Sequence, residues 1–323
     1  MLALVFVIGI SAGIAEGQTG PPPWAYGFAY AGGPVPPSGS ESLPKDDSPK
    51  HLPGSKFSFA LQEIWNQYSP ADWYPEDHPP MPDIVAHGHK PSVRACSFCH
   101  YPNGKGRSEN AGVAGLPFDY FVKTMHDFRN GARQTANQRR LNANYMIQFA
   151  NGMTDEDIAA AAKYFGSMKW TPWIKVVETQ MAPKTRILGH MFVALDGDEK
   201  EPLGNRIIEV PENTDATVLF RDDHSGFIAY VPIGSVKKGE ALVTSGGNGK
   251  TIPCGTCHGS KMEGLGAVPP LAGRSPSYLM RQLYDIRQGD RTGAGTELMK
   301  PVVAHLNEDD MLAIVAYLAS LAP

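Results

Sequence analysis

The chain has 323 residues, 42% of them hydrophobic, and a formal net charge of −4, the profile of a soluble protein large enough for two modest domains and additional material. So weak a charge, with no run of Lys or Arg, argues against nucleic acid as a partner and leaves no lipid-binding stripe. The 34 glycines and 28 prolines call for long non-helical connections.

At the amino terminus an apolar run from Leu2 to Ile10 precedes small residues, with Ala15 in "GIAEG" as a cleavage point. Residues 1–17 read as a secretory signal peptide, although no Lys or Arg precedes the run, so a short anchor or a start further upstream stays open. No other stretch approaches the roughly 20 apolar residues that span a bilayer, and the mature protein is expected to be soluble and exported to the periplasm. Residues 18–80 are rich in proline and aromatics, as in "PPPWAYGFAYAGGPVPPSGS", and are expected to run extended over a surface, as a domain-covering wrap or a docking arm.

"RACSFCHYP" follows, in which Cys96, Cys99 and His100 form a Cys-x-x-Cys-His pentad. Beyond it, residues 170–232 read as short strands in "WIKVVET", "RIIEV", "ATVLF" and "GFIAYVPI", separated by turn-forming stretches; they make a small β-rich insert or strap. Cys254, Cys257 and His258 then repeat the pentad, Cys254 standing 158 positions after Cys96, and the two pentads hold all 4 cysteines.

An exported protein meets an oxidising compartment, yet a disulfide within Cys-x-x-Cys closes a very small loop and adds little stability. A thioredoxin-like pair needs neither an adjacent histidine nor a second copy. Zinc would leave each histidine without a role. Covalent haem accounts for all three residues: the thiols form thioethers with the vinyl groups and the next side chain is directed under the iron. Two covalently attached haem c groups are therefore expected.

At the same 158-residue offset, "GLPFDYFVKTMHDFRNGAR" (115–133) overlays "GRSPSYLMRQLYDIRQGDR" (273–291), pairing Tyr120 with Tyr278, Arg129 with Arg287 and Arg133 with Arg291. The offset then falls to 153, pairing Met146 with Met299. Each copy ends in an amphipathic helix: Thr154 and Asn307 are N-caps, acidic residues occupy the first turn, and Met153 and Leu306 form hydrophobic staples with Ile158 and Met311.

The order of parts in each copy resembles the class I cytochrome c fold, and the tandem arrangement resembles the two-domain dihaem cytochromes c of bacterial periplasms. The resemblance implies a mainly α protein in which two cytochrome c domains, 81–169 and 233–323, are joined by the β-rich insert. It implies His100 and Met146 as axial ligands of the first haem, and His258 and Met299 of the second; a thioether on iron raises the potential. Met299 has Pro301 stiffening its loop, whereas Met146 rests mainly on the overlay. His126 is its rival, read instead as a surface or capping residue. The remaining histidines have no spacing that marks them as ligands.

Arg129, Arg133, Arg287 and Arg291 are candidates to pair with haem propionates, with solvated helix ends as the alternative. Tyr120 and Tyr278 either wall the haems or hydrogen-bond a propionate, with ordinary core packing as the alternative. The leading function is single-electron transfer from a dehydrogenase or quinol-oxidising complex to a terminal oxidase or reductase, with a membrane-associated partner left open. Two other readings stand beside it: a haem enzyme, such as a peroxidase, with one open iron position, and a cytochrome subunit stably bound to a dehydrogenase.

Overall fold

The computed structural model describes residues 20–28 and 46–323. The expected signal peptide, and much of the proline-rich stretch after it, lie outside these residues. The described chain is mainly helical with small sheets. Among the described residues no helix is long and apolar enough to cross a membrane.

In the first repeat, helix Phe118–Arg129 buries Phe121, Met125 and Phe128 at helical spacing, and helix Asp155–Gly166 buries Ile158, Ala161, Ala162 and Phe165. These faces meet in one core with Phe149, from helix Leu141–Gly152. The caps form as the sequence predicts. Thr154 Oγ1 accepts from Asp157 N and Asn307 Oδ1 from Asp310 N, each with the reciprocal bond of a capping box.

The second repeat opens on helix Ser235–Ser245, crossed by the terminal helix Glu308–Ser320. The first repeat has only the single turn Asp83–Ala86 near the matching place. The crossing is close because Gly239 lacks a side chain: a Cβ there would fall 2.0 Å from Ala313 O. Gly239→Ala is expected to force the helices apart at a cost of about 3 kcal/mol, the upper end for overpacking, read as a lowered thermal midpoint.

The insert is not a free-standing strap. Its three-stranded sheet has Phe227–Val231 in the middle, parallel to Ile174–Glu178 and antiparallel to Ile208–Pro211. Ile208, Val210, Ala229 and Val231 from this sheet share a core with Leu242, Met280 and Met311 of the second repeat. Two insert glutamates also cap second-repeat helices, placing negative charge at their positive ends. Glu178 Oε1 accepts from Gly234 N and Val236 N at 2.9 and 3.0 Å. The buried Glu209 accepts from Ser275 Oγ at 2.8 Å and Ser277 N at 3.2 Å.

The strand expected at "ATVLF" does not form. Residues Thr214–Val218 are helical, because Asn213 accepts from Ala216 N as an N-cap and Asp215 sits in the first turn, and this capping overrides the β-branched composition. Two further strand pairs went unpredicted: Met181–Pro183 with Lys200–Pro202, and the hairpin Thr185–Leu188 with Met191–Ala194. Gly189 and His190 turn that hairpin at φ 55° and 71°, the left-handed pair that a two-residue connection demands.

The described parts of the proline-rich region are folded into the body rather than laid over it. Trp24, Ala25 and Tyr26 are buried in the same core as the second repeat, and Tyr26 donates to Asp285 at 2.5 Å. Further on, Leu52, Leu61, Ile64, Trp73 and Tyr74 form a satellite cluster. Its indoles donate to the insert, Trp65 to Leu219 O at 3.0 Å and Trp73 to Phe220 O at 2.7 Å.

Candidate haem sites

Each pentad forms a short helical turn, Cys96–His100 and Gly255–His258. The histidines have matching environments. His100 Nδ1 lies 2.8 Å from Ala111 O and His258 Nδ1 lies 2.8 Å from Pro269 O, each carbonyl eleven residues further along the chain. A carbonyl can only accept, so Nδ1 carries the proton and Nε2 keeps the lone pair that a metal requires. Burial holds both imidazoles below the usual histidine range, which favours the neutral ligand form.

Cys96 and Cys254 are not poised as thiolates. Burial pushes Cys96 up to about 12 and Cys254 up to about 11, far from the depressed values of reactive thiolates. None of the four is joined in a disulfide. Among the described residues no group of three or more His, Cys, Asp or Glu is arranged to hold a metal ion.

Cys99, His100 and Met146 line a cavity of about 140 Å3. Cys96 lines an adjoining one of about 40 Å3, together with Cys99, His100 and Met146. The larger cavity has apolar walls, among them Phe121, Phe128 and Phe149, and a polar end that includes Arg133, Tyr278 and Gln282. Met146 projects from within helix Leu141–Gly152. In the second repeat the matching segment is two short turns, Ala294–Glu297 and Lys300–Val303, with Met299 at the junction. Met299 and Cys254 are half-buried against one core, and Cys257 is exposed.

The polar end is shared between the repeats. Arg133 pairs with Arg291 in an antiparallel bridge, flanked by Gln134 N to Asp290 O at 2.7 Å and Thr292 N to Ala132 O at 2.6 Å. The arginines then cross over: Arg133 Nη2 donates to Tyr278 Oη at 3.2 Å and Arg291 Nη2 to Tyr120 Oη at 3.1 Å. Both donate to Gln282 Oε1 at 2.9 Å. Equivalent positions thus contact one another reciprocally, as in an isologous two-fold interface. Burial alone would raise the Tyr120 phenol, but Arg291 and Arg133 outweigh it and bring it down to about 7.

Arg129 and Arg287 are placed elsewhere. Arg129 donates to Ala150 O at 3.1 Å and Met153 O at 2.9 Å and pairs with Asp155 at 2.7 Å; Arg287 donates to Leu306 O at 2.8 Å. Each ties down the chain just before its terminal helix, and neither lines the first cavity. His126 lies 3.7 Å from the exposed Asp155 and also stands off that cavity.

Two buried arginines at the polar end escaped the sequence reading. Arg281 donates to Ala25 O at 2.6 Å and Ser108 O at 3.0 Å. Arg140 donates to Tyr26 O at 2.7 Å and to Glu109 O. Arg281 matches Lys123 in the overlay, and Arg140 lies in the loop where the copies differ in length, so the repeat marked neither.

These residues fit haem c. Paired thiols, a neutral imidazole with Nε2 available, a thioether on the same cavity, apolar walls and a cationic end are the donor set that a flat, apolar macrocycle with two carboxylates requires.

The cytochrome c family model matches residues 236–322. The thiosulfate dehydrogenase electron acceptor of Stutzerimonas stutzeri is 27% identical over 239 residues, covering 72% of this chain and 82% of that protein. Cytochrome c4 of Pseudomonas aeruginosa is 24% identical over 231 residues, covering 70% and 83%. Cytochrome c-554(548) of Halomonas halodenitrificans is 36% identical over 75 residues, which is 23% of this chain and 90% of that one. With two haem-attachment pentads in tandem, this chain belongs to the cytochrome c family, as a dihaem, cytochrome c4-like electron carrier.

Proposed function

We propose that this protein works in the periplasm, exported by its 1–17 leader, and takes single electrons from a dehydrogenase that oxidises a small sulfur compound, thiosulfate first among them. Residues 81–169 and 233–323 form the two haem domains, with 18–80 and 170–232 as additions packed on them. Cys96 and Cys99 would anchor the first haem, with His100 and Met146 as its iron ligands, and Cys254 and Cys257 the second, with His258 and Met299. Haem c supplies one-electron chemistry at iron, and a methionine ligand holds its potential high enough to receive electrons from a dehydrogenase.

The observation that carries this reading is the first cavity, on which His100, Cys99 and Met146 converge. His100 is held in one tautomer by Ala111 O, so its ring does not have to reorient when charge changes. Phe121, Met125 and Phe149 keep water from the cavity walls. Arg133 and Arg291 would meet the propionate carboxylates where the repeats join, tying both haems to one rigid contact. Arg129 and Arg287 have no such role in this reading and serve as helix-positioning residues. The thiosulfate assignment follows from the likeness to the Stutzerimonas acceptor.

The test is anaerobic mixing of the oxidised dihaem protein with thiosulfate and a catalytic amount of thiosulfate dehydrogenase, followed in the visible haem bands. Full reduction of two haems per chain only when the enzyme is present is expected. Failure to reduce, with ascorbate still reducing both haems, would exclude this donor while leaving the carrier intact.

A further inference from the structure

The first attachment loop carries a cover built on Phe98, an aromatic residue that the second pentad replaces with Thr256. Arg221, from the insert, is 5% exposed, and its backbone sits at φ 53°, a left-handed conformation that a residue other than glycine holds only where its surroundings impose it. Its guanidinium lies 4.4 Å from the Phe98 ring centroid, 5.0 Å from that of Trp65 and 5.6 Å from that of Tyr101. Phe98 stands between Cys96 and Cys99, and Tyr101 follows His100. The insert therefore seats a positive charge against the pentad itself.

That charge has no direct ionic partner among the described residues, the nearby Glu109 acting on it only through space. Neither Arg221 Nη1 nor Nη2 has a hydrogen-bond partner, and Arg221 makes no ion pair among the described residues. Burial pulls its guanidinium down to about 10, so it stays protonated at neutral pH. Arg107, a second cation near Cys99, is by contrast paired with the buried Glu109 at 2.5 Å. At the second pentad, Thr256 takes the place of Phe98, so the ring nearest Arg221 at the first pentad has no equivalent there.

We propose that Arg221 is a potential-setting residue that raises the first haem's reduction potential above what its ligands alone would give, and so biases an electron toward the first repeat. A positive charge without a direct ionic partner, in a poorly polarisable interior, opposes the extra positive charge of the ferric state, while the second haem, at the other pentad, is left nearly untouched. The inference rests on the reading of His100 as ligand to a haem held by Cys96 and Cys99.

The experiment is an equilibrium redox titration of the holoprotein, with both haems counted beforehand, for wild type, Arg221→Met and Arg221→Lys. A Met299→His background, which drives the second haem's step to low potential, assigns the two steps. Arg221→Met should lower the first haem's step and leave the second in place, and Arg221→Lys should keep the first step near the wild-type position. Trp65→Glu, which retains Arg221 and gives it a countercharge, should lower the same step and serves if Arg221→Met loads poorly. Unmoved steps, an equal shift of both haems, or a lysine variant that behaves like methionine would overturn the proposal. If Met299→His moves neither step, the ligand reading fails instead, and the effect of Arg221 is still read from whether one step or none responds.

Discussion

Cys96→Ala combined with Cys99→Ala is expected to yield a protein holding one haem instead of two, with its first repeat weakened. In the proposed reading the two thiols are the covalent anchors at the first site, and with neither present the macrocycle is left to its non-covalent ligands, His100 and Met146, against Phe121, Phe128 and Phe149. Those rings line the cavity of about 140 Å3. At roughly 24 cal/mol per Å3 of unfilled core, leaving that space unfilled costs about 3 kcal/mol. Haem content from the reduced visible spectrum should fall by half, and the remaining haem should keep the spectrum of the second site. Two haems retained in the double variant would mean that these cysteines are not the anchors.

Arg133→Met should loosen the join between the repeats. Arg133 is 7% exposed, and its guanidinium donates to both Tyr278 Oη and Gln282 Oε1 across the interface. Hydrogen bonds to a charged group are worth about 1.5–3 kcal/mol each, and the partners left behind are poorly hydrated, so a loss of about 3 kcal/mol is expected. Because the loss falls on the contact between the halves, a single cooperative melt should separate into two transitions in calorimetry of the haem-loaded protein. Arg291→Met should act similarly, and the double variant should cost less than the sum, since both arginines share Gln282. An unchanged single transition in all three would show that other contacts hold the repeats together.

Much of this arrangement was legible in the residues. The pentads name their own chemistry, and the 158-residue offset pairs Arg133 with Arg291 and Tyr120 with Tyr278, the four residues that meet at the join. The caps at Thr154 and Asn307 depend only on neighbours in sequence, so local chemistry predicts them. What escaped depends on tertiary context. "ATVLF" has the composition of a strand, but Asn213 and Asp215 favour a helix start, and packing decided between them. Arg140, Arg281 and Arg221 look like surface charges in sequence. Their burial follows from backbone carbonyls and aromatic rings brought in by segments more than thirty residues away. The repeat signal could not locate them either: Arg221 lies in the insert, which has no second copy, and Arg281 aligns with a lysine. Arg129 and Arg287 were the converse case, since their repetition reflects a shared structural bond to the chain ahead of the terminal helix.

Carbon monoxide added to the fully reduced protein, after two haems per chain have been counted, tests the closed His/Met assignment most directly. With Met146 and Met299 bound to their irons, neither haem's visible bands should shift. Stoichiometric binding at one haem would contradict the account. Met146 would then be the first ligand to re-examine, because it projects from within a continuous helix whereas Met299 stands at a junction of short turns.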